Sequence, residues 1–194
     1  MINKDEIKKV LNNDGVIAFV TDTVWGLGCL PSSEKAVQRI YQIKHREAKK
    51  PLILMSDDIY PLFDYVKQPI SKQAQKLIKG YFPGALTLVV EKSENTPNYI
   101  TSDMNTVGIR VPNNKIFAEI CLSIEGRVLA TTSANISGEA AALTYEEAIE
   151  CVGQVVDLVI PDFGCVAKGA ASTVVGVDNS GNIKVFRQGE VIIN

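Results

Sequence analysis

The sequence predicts an α/β protein in which an open, twisted sheet of mixed parallel and antiparallel strands carries flanking helices. Three observations predict it. Helix-period and strand-like segments alternate through most of the 194 residues. Near the C-terminus, neighbouring strand segments are joined by turns too short for a parallel crossover, so they pair antiparallel. Hydrophobic residues make up 46% of the chain, enough for one core. A domain of this size buries about 70% of the surface that its unfolded chain exposes. No repeat, linker or low-complexity stretch interrupts residues 1–194, so a single domain is expected.

Residues 3–13 carry Ile7, Val10 and Leu11 at helical spacing before Asn12, Asn13, Asp14 and Gly15 break the pattern. VIAFV at 16–20 reads as a short buried strand that delivers the chain into Thr21, Asp22 and Thr23. TDTVWGLG at 21–28 reads as a small-residue turn. A second helix is predicted over 33–44, capped by Ser32 or Ser33, with Ala36, Val37, Ile40, Tyr41 and Ile43 on its packed side. PLILM at 51–55 is strand-like, a polar helix follows near 71–79, and the Pro83–Gly84 turn leads into a strand over 85–91. Residues 92–105 read as a loop or edge segment. TVGIRVP at 106–112 alternates, sending Val107, Ile109 and Val111 to one face and Thr106, Gly108 and Arg110 to the other. A helix over 116–122, a strand over 128–131, a helix over 145–151 and a strand over 155–160 follow. The chain closes on strands over 172–177 and 182–186, joined by the turn DNSG.

Lys and Arg number 20 against 22 Asp and Glu, a formal charge of −2 that argues against a polycationic surface gripping nucleic acid everywhere. An anion site has to be local. Cys29, Cys121, Cys151 and Cys165 lie far apart with no CxxC pair, and His45 is the only histidine. Neither a zinc site nor a disulfide framework is therefore expected. MINKDEIKK reaches charge too early for a secretory leader, and the apolar runs GVIAFV and ALTLVV are too short for a membrane span. The expectation is a cytoplasmic protein with reduced cysteines.

Neither GxGxxG nor GxxxxGK followed by Ser or Thr occurs, so phosphate would be held by other means. Three segments offer them: the turn at 21–28, the basic KHREAKKPL at 44–52 and the polar TTSANISG at 131–138. Together they supply hydroxyls with backbone donors, cations, and uncharged hydrogen-bonding groups. Lys44 and Arg46 share a side only in an extended chain, so this reading requires the helix to end near Lys44. The alternative is a solvated helix end balanced by Glu47. Ser133 and Asn135 have the same spacing and either face a ligand or cap the next element. Thr21 and Thr23 repeat it, against plain strand-end threonines. Arg110 shares the face of Gly108, where a ligand could come close, and suits bidentate contact with a carboxylate or phosphate. A surface ion pair is its other reading. One histidine among cations disfavours a Ser/His/Asp triad and favours catalysis by positioning and charge neutralisation.

Taken in order, TDTVWGLG, KHREAKKPL, PGALTLVV, TVGIRVP, TTSANISG, ASTVV and FRQG resemble the motifs of the YrdC-like family, the threonylcarbamoyl-AMP synthases, most closely its short, single-domain TsaC type. The resemblance runs over nearly the whole chain. It implies a YrdC-like fold around a basic cavity. It also implies an enzyme that condenses L-threonine, bicarbonate or CO2, and ATP with Mg2+ into threonylcarbamoyl-adenylate and pyrophosphate. Other tRNA-modification proteins then use the adenylate to modify the adenosine beside the anticodon. Binding of tRNA or other RNA is a further family property, and a non-catalytic RNA-binding relative with the same cavity is the rival reading.

By position, the resemblance implies Lys44, Arg46, Ser133 and Asn135 as the catalytic KxR and SxN pairs at the nucleotide end. Lys50, Thr106 and Arg187 are implied as further ATP contacts, and Thr21, Arg110 and Ser172 as threonine contacts. The sequence departs from the family pattern at Val20 and Asp22, which replace Pro and Glu, and at Trp25, which replaces Tyr or Phe. Thr132, Ala141 and Gly176 stand where Pro, Ser and Asp are common.

Overall fold

The computed structural model describes residues 2–45 and 50–193. Helix α1 (Lys4–Asn12) leads to strands β1 (Ile17–Phe19) and β2 (Gly26–Cys29), then to α2 (Glu34–Ile43) and β3 (Ile53–Ser56). A 3-10 turn (Tyr60–Tyr65), α3 (Lys72–Tyr81), β4 (Leu86–Glu91), α4 (Asn98–Thr101), β5 (Thr106–Arg110) and α5 (Lys115–Cys121) follow. The rest is β6 (Val128–Ser133), α6 (Tyr145–Val152), β7 (Leu158–Val159), β8 (Thr173–Val177) and β9 (Ile183–Arg187). Helices begin where a side chain takes an orphan backbone N–H: Asn3, Ser33, Ser71, Asn114 and Thr144 each accept from the third residue on. Such a cap contributes about 1 kcal/mol.

The nine strands form one sheet in the order β7-β1-β2-β6-β3-β5-β4-β8-β9. Three neighbour pairs are parallel, β1 with β7, β3 with β5 and β4 with β8, and the other five are antiparallel, which is the mixed sheet expected. Across the middle, register partners set Thr131, Ile53, Gly108, Val89 and Gly176 in one row. Side chains in register share a face of the sheet. On the opposite face, from β2 to β8, Leu27, Leu54, Leu88, Ile109, Ala130 and Val175 are all buried. Each fully buried Leu, Ile or Val stabilises by about 1.5–3 kcal/mol, so this face anchors the sheet. At the β1–β2 end the first face is covered too, where Phe19 packs on Phe117 of α5 with ring centroids 5.1 Å apart.

Three elements differ from expectation. GLGC at 26–29 is a fully buried strand, not a turn. Its glycines let the ring of Phe19 lie directly on the backbone, since a Cβ at Gly28 would meet that ring at 2.8 Å. Residues 92–105 contain the single turn of α4. The strand expected over 155–160 shrinks to β7, because the amides of Val155 and Val156 both turn back to the carbonyl of Val152 at the end of α6.

Candidate functional site

Away from Phe19, the face that carries Gly108 opens into a cavity of about 480 Å³. Ile53, Met55, Thr87, Thr131 and Val174 pave its floor. Thr21, residues 23–26, Thr132, Ser133 and Asn135, Lys50 and Pro51, and Ser172 with Arg187 wall it in. Among the described lining residues, the cations Lys50, Arg110 and Arg187 meet one carboxylate, Glu139. A chain of net charge −2 thus concentrates positive charge at one place. Facing charges of one sign in a concave, low-dielectric site attract an anion.

Arg110 ends β5 on the Gly108 face, as the alternation predicts. It is not the plain surface ion pair of the alternative reading, because the residue is only 4% exposed. Its Nε donates to the Gly84 carbonyl at 3.0 Å, one terminal nitrogen to Thr23 Oγ1 at 2.9 Å, and the other to Asp22 Oδ1 at 2.5 Å. Burial pushes the guanidinium pKa down, and Asp22 opposes that shift while Arg187 adds to it. A guanidinium has five N–H groups, so two remain beyond these three bonds. Thr21 Oγ1 donates to the Val24 carbonyl at 2.6 Å and accepts from the amides of Thr23 and Val24, which closes the 21–24 turn. Thr21 and Thr23 hydroxyls sit 3.1 Å apart. The turn is therefore built to present Thr23 and Asp22 to Arg110.

Lys44 behaves differently from expectation. Helix α2 ends at Ile43, as the anion-binding reading required. Yet the Lys44 ammonium is buried behind the cavity wall, not within it, at 2% exposure. It donates to Ser133 O at 2.6 Å, Asn135 O at 2.8 Å and Asn135 Oδ1 at 2.7 Å, as many bonds as it has protons. Asn135 also accepts from Ser133 Oγ at 2.6 Å and donates to the Glu139 carbonyl at 2.7 Å. The two segments expected to converge do converge, with the lysine bracing the polar cluster from behind. Arg46 lies outside the described residues.

Ser172 is buried between Thr87, whose hydroxyl is 2.8 Å away, and Arg187, which donates to the Ser172 carbonyl at 2.9 Å. Burial also pushes the Arg187 guanidinium pKa down. Thr106 is the exception: it lies exposed at the start of β5, four residues before Arg110, and outside the cavity lining. Four strand residues span about 13 Å, too far for Thr106 to share a contact with Arg110. Asp22, Thr87 and Thr131 were not among the sequence candidates for ligand contact. Thr87 was legible in principle, as the polar residue between Leu86 and Leu88 in a buried strand. Among the described residues, no group of three or more His, Cys, Asp or Glu is placed to hold a metal ion.

The model of the Sua5, YciO and YrdC family, described as telomere recombination, matches residues 9–189. The chain belongs to this family. The matched region holds every strand of the sheet. Within the Sua5/YciO/YrdC family, a threonylcarbamoyl-AMP synthase of Buchnera aphidicola is 37% identical over 146 residues, 75% of this chain and 83% of that protein. Another, of Idiomarina loihiensis, is 32% identical over 174 residues, 89% of this chain and 91% of that protein. Among solved structures, P. abyssi Sua5 complexed with L-threonine matches with a TM-score of 0.87 at 32% identity, covering 97% of this chain and 55% of that one. The chain thus spans little more than half the length of that Sua5.

Proposed function

We propose that the protein is a threonylcarbamoyl-AMP synthase, which condenses L-threonine, bicarbonate or CO2, and MgATP into threonylcarbamoyl-adenylate and pyrophosphate. The observation that carries this reading is the cation-lined cavity of about 480 Å³, in a chain 32% identical to a Sua5 complexed with L-threonine. The names of the related proteins favour turnover over the non-catalytic RNA-binding alternative.

The two spare N–H groups of Arg110 take the threonine carboxylate, with Thr21 and Ser172 at its flanks. The triphosphate lies toward Ser133, Asn135, Lys50 and Arg187. Arg46 joins it on the strength of the KxR resemblance. Lys44 acts by holding Ser133 and Asn135 in place. Magnesium enters on the nucleotide phosphates, its usual mode of binding beside phosphorylated substrates.

The uncharged threonine amine attacks CO2 to give a carbamate, and its proton passes to bicarbonate, a substrate phosphate or water. A carbamate oxygen then attacks the α-phosphorus, forming the P–O bond as the bond to pyrophosphate breaks. The chain's contribution is to hold two anions side by side and neutralise the charge that develops on the leaving group. Other tRNA-modification proteins consume the adenylate to modify the adenosine beside the anticodon, which places the enzyme in the cytoplasm. No described helix is long and apolar enough to cross a membrane. The chain does this work as one domain.

Incubation with MgATP, threonine and labelled bicarbonate tests the proposal. Pyrophosphate release that requires both threonine and bicarbonate, with label in an adenylate, supports it. Release indifferent to threonine, or none, rejects it.

A further inference from the structure

We infer that Phe186 is the surface on which the adenine ring of the nucleotide stacks, at the outer end of the cavity. This rests on the synthase reading above and adds to it a residue for the base.

Phe186 belongs to the edge strand β9. The register pairs Val174 with Arg187 and Val175 with Val185, which leaves Phe186 as the extra residue of a bulge. A bulge re-aims a side chain, and bulges concentrate beside active sites. The next residue, Arg187, is fixed by its bonds to the Ser172 carbonyl and lines the cavity. The bulge therefore holds the ring one residue from the cavity wall.

The ring is turned onto the cavity side of the sheet. Gly176 shares a face with Val174, which lines the cavity, and a Cβ at Gly176 would meet a Phe186 ring carbon at 2.5 Å. Phe186 occupies the place of the missing side chain.

From the cavity floor at Ile53 the row runs through Gly108 and Val89 to Gly176. Three strand spacings make that path about 14 Å, within reach of an extended nucleotide. At Gly108 the side chain of Ile53 takes the space a Cβ would fill. Thr106 borders the path on the same face, which gives that residue a place beside the nucleoside although it is absent from the cavity wall. Phe186 is 56% exposed, and Lys184 Nζ lies 5.3 Å from its ring centroid. An exposed aromatic ring with a cation over its face is a surface that a base can take in the cation's place. The long, flexible stem of Lys184 lets the ammonium move off the ring face as the base arrives.

Calorimetry with ATP and with inorganic tripolyphosphate, which lacks the base, separates the two ends of the site. For Phe186→Ala, ATP should bind about tenfold more weakly, within the range of base–aromatic stacking, while tripolyphosphate binding stays unchanged. Phe186→Trp should keep ATP affinity. Gly176→Ala, which displaces the ring without removing it, should shift ATP in the same direction as Phe186→Ala. Unchanged ATP affinity in Phe186→Ala, or an equal loss for both ligands, overturns the inference. A wild-type protein that binds neither ligand overturns the synthase reading, and the stacking site falls with it.

Discussion

Lys44 Nζ lies 2.7 Å from Asn135 Oδ1, a contact between residues 91 apart in the sequence. Because the same ammonium also holds the carbonyls of Ser133 and Asn135, it fixes the backbone that presents both polar side chains. Lys44 and the SxN segment are one mechanical unit.

Lys44→Met should leave those buried oxygens without their donor. Hydrogen bonds to a charged group are worth about 1.5–3 kcal/mol each, and partial relaxation recovers some of that. The expected outcome is a loss of about 2–3 kcal/mol in urea unfolding and at least a tenfold fall in kcat/KM for pyrophosphate release. Wild-type kinetics in a correctly folded Lys44→Met protein would rule out the bracing role.

Removing the Asp22 carboxylate should strand a buried guanidinium. Breaking a buried ion pair from one side costs about 3–5 kcal/mol, so Asp22→Asn should lower the unfolding midpoint strongly. It should also raise the threonine KM more than the ATP KM, since Arg110 would turn from its proposed pose. Asp22→Glu, which restores the family's residue, should recover most of both.

Burial pushes the Cys29 thiol up to about 12, and burial drives Cys121 upward as well. Cys151 and Cys165 are partly exposed. A disulfide-exchange reagent at pH 8 should therefore react readily with the two exposed thiols of the native protein, and with all four in denaturant. The unfolded thiols ionise near about 8.5, so the unfolded state gives up its protons first. Stability from these groups is fully present below that pH and is lost as pH rises toward the folded Cys29 value of about 12. A melting midpoint that does not fall across this window would contradict the burial of both thiols.

Trp25, the sole tryptophan, is fully buried against Tyr145 with ring centroids 5.9 Å apart, and its indole N–H has no partner among the described residues. Its emission should be blue-shifted and resistant to acrylamide. Trp25→Phe should cost less than about 2 kcal/mol, because removing an unsatisfied donor offsets part of the lost packing. A red-shifted, readily quenched spectrum would place the residue elsewhere.

Most of the fold was legible because its elements announce themselves locally. Ser33 and Thr144 mark helix starts, and the alternation of 106–112 places Arg110 and Gly108 on one face. Strand β2 was hidden because its identity depends on Phe19 filling the space above two glycines, a relation between strands that spacing along one of them cannot show. The site was legible as a set of segments but not in its wiring. That Lys44 is spent on Asn135, or that Arg110 already holds Asp22, follows from contacts spanning 91 and 88 residues. Thr106 was implied by the resemblance alone, and its place outside the cavity lining follows from its position at the start of β5, which the motif order does not show.

The central claim is that one cavity holds threonine and the triphosphate together. A crystal structure with threonine and a non-hydrolysable ATP analogue tests it most directly. The predicted result is the amino-acid carboxylate within about 3 Å of the Arg110 guanidinium and the triphosphate beside Ser133 and Asn135. Either ligand lodged instead in the separate hollow of about 330 Å³ near Pro83 and Lys168, across Asp22, would contradict it.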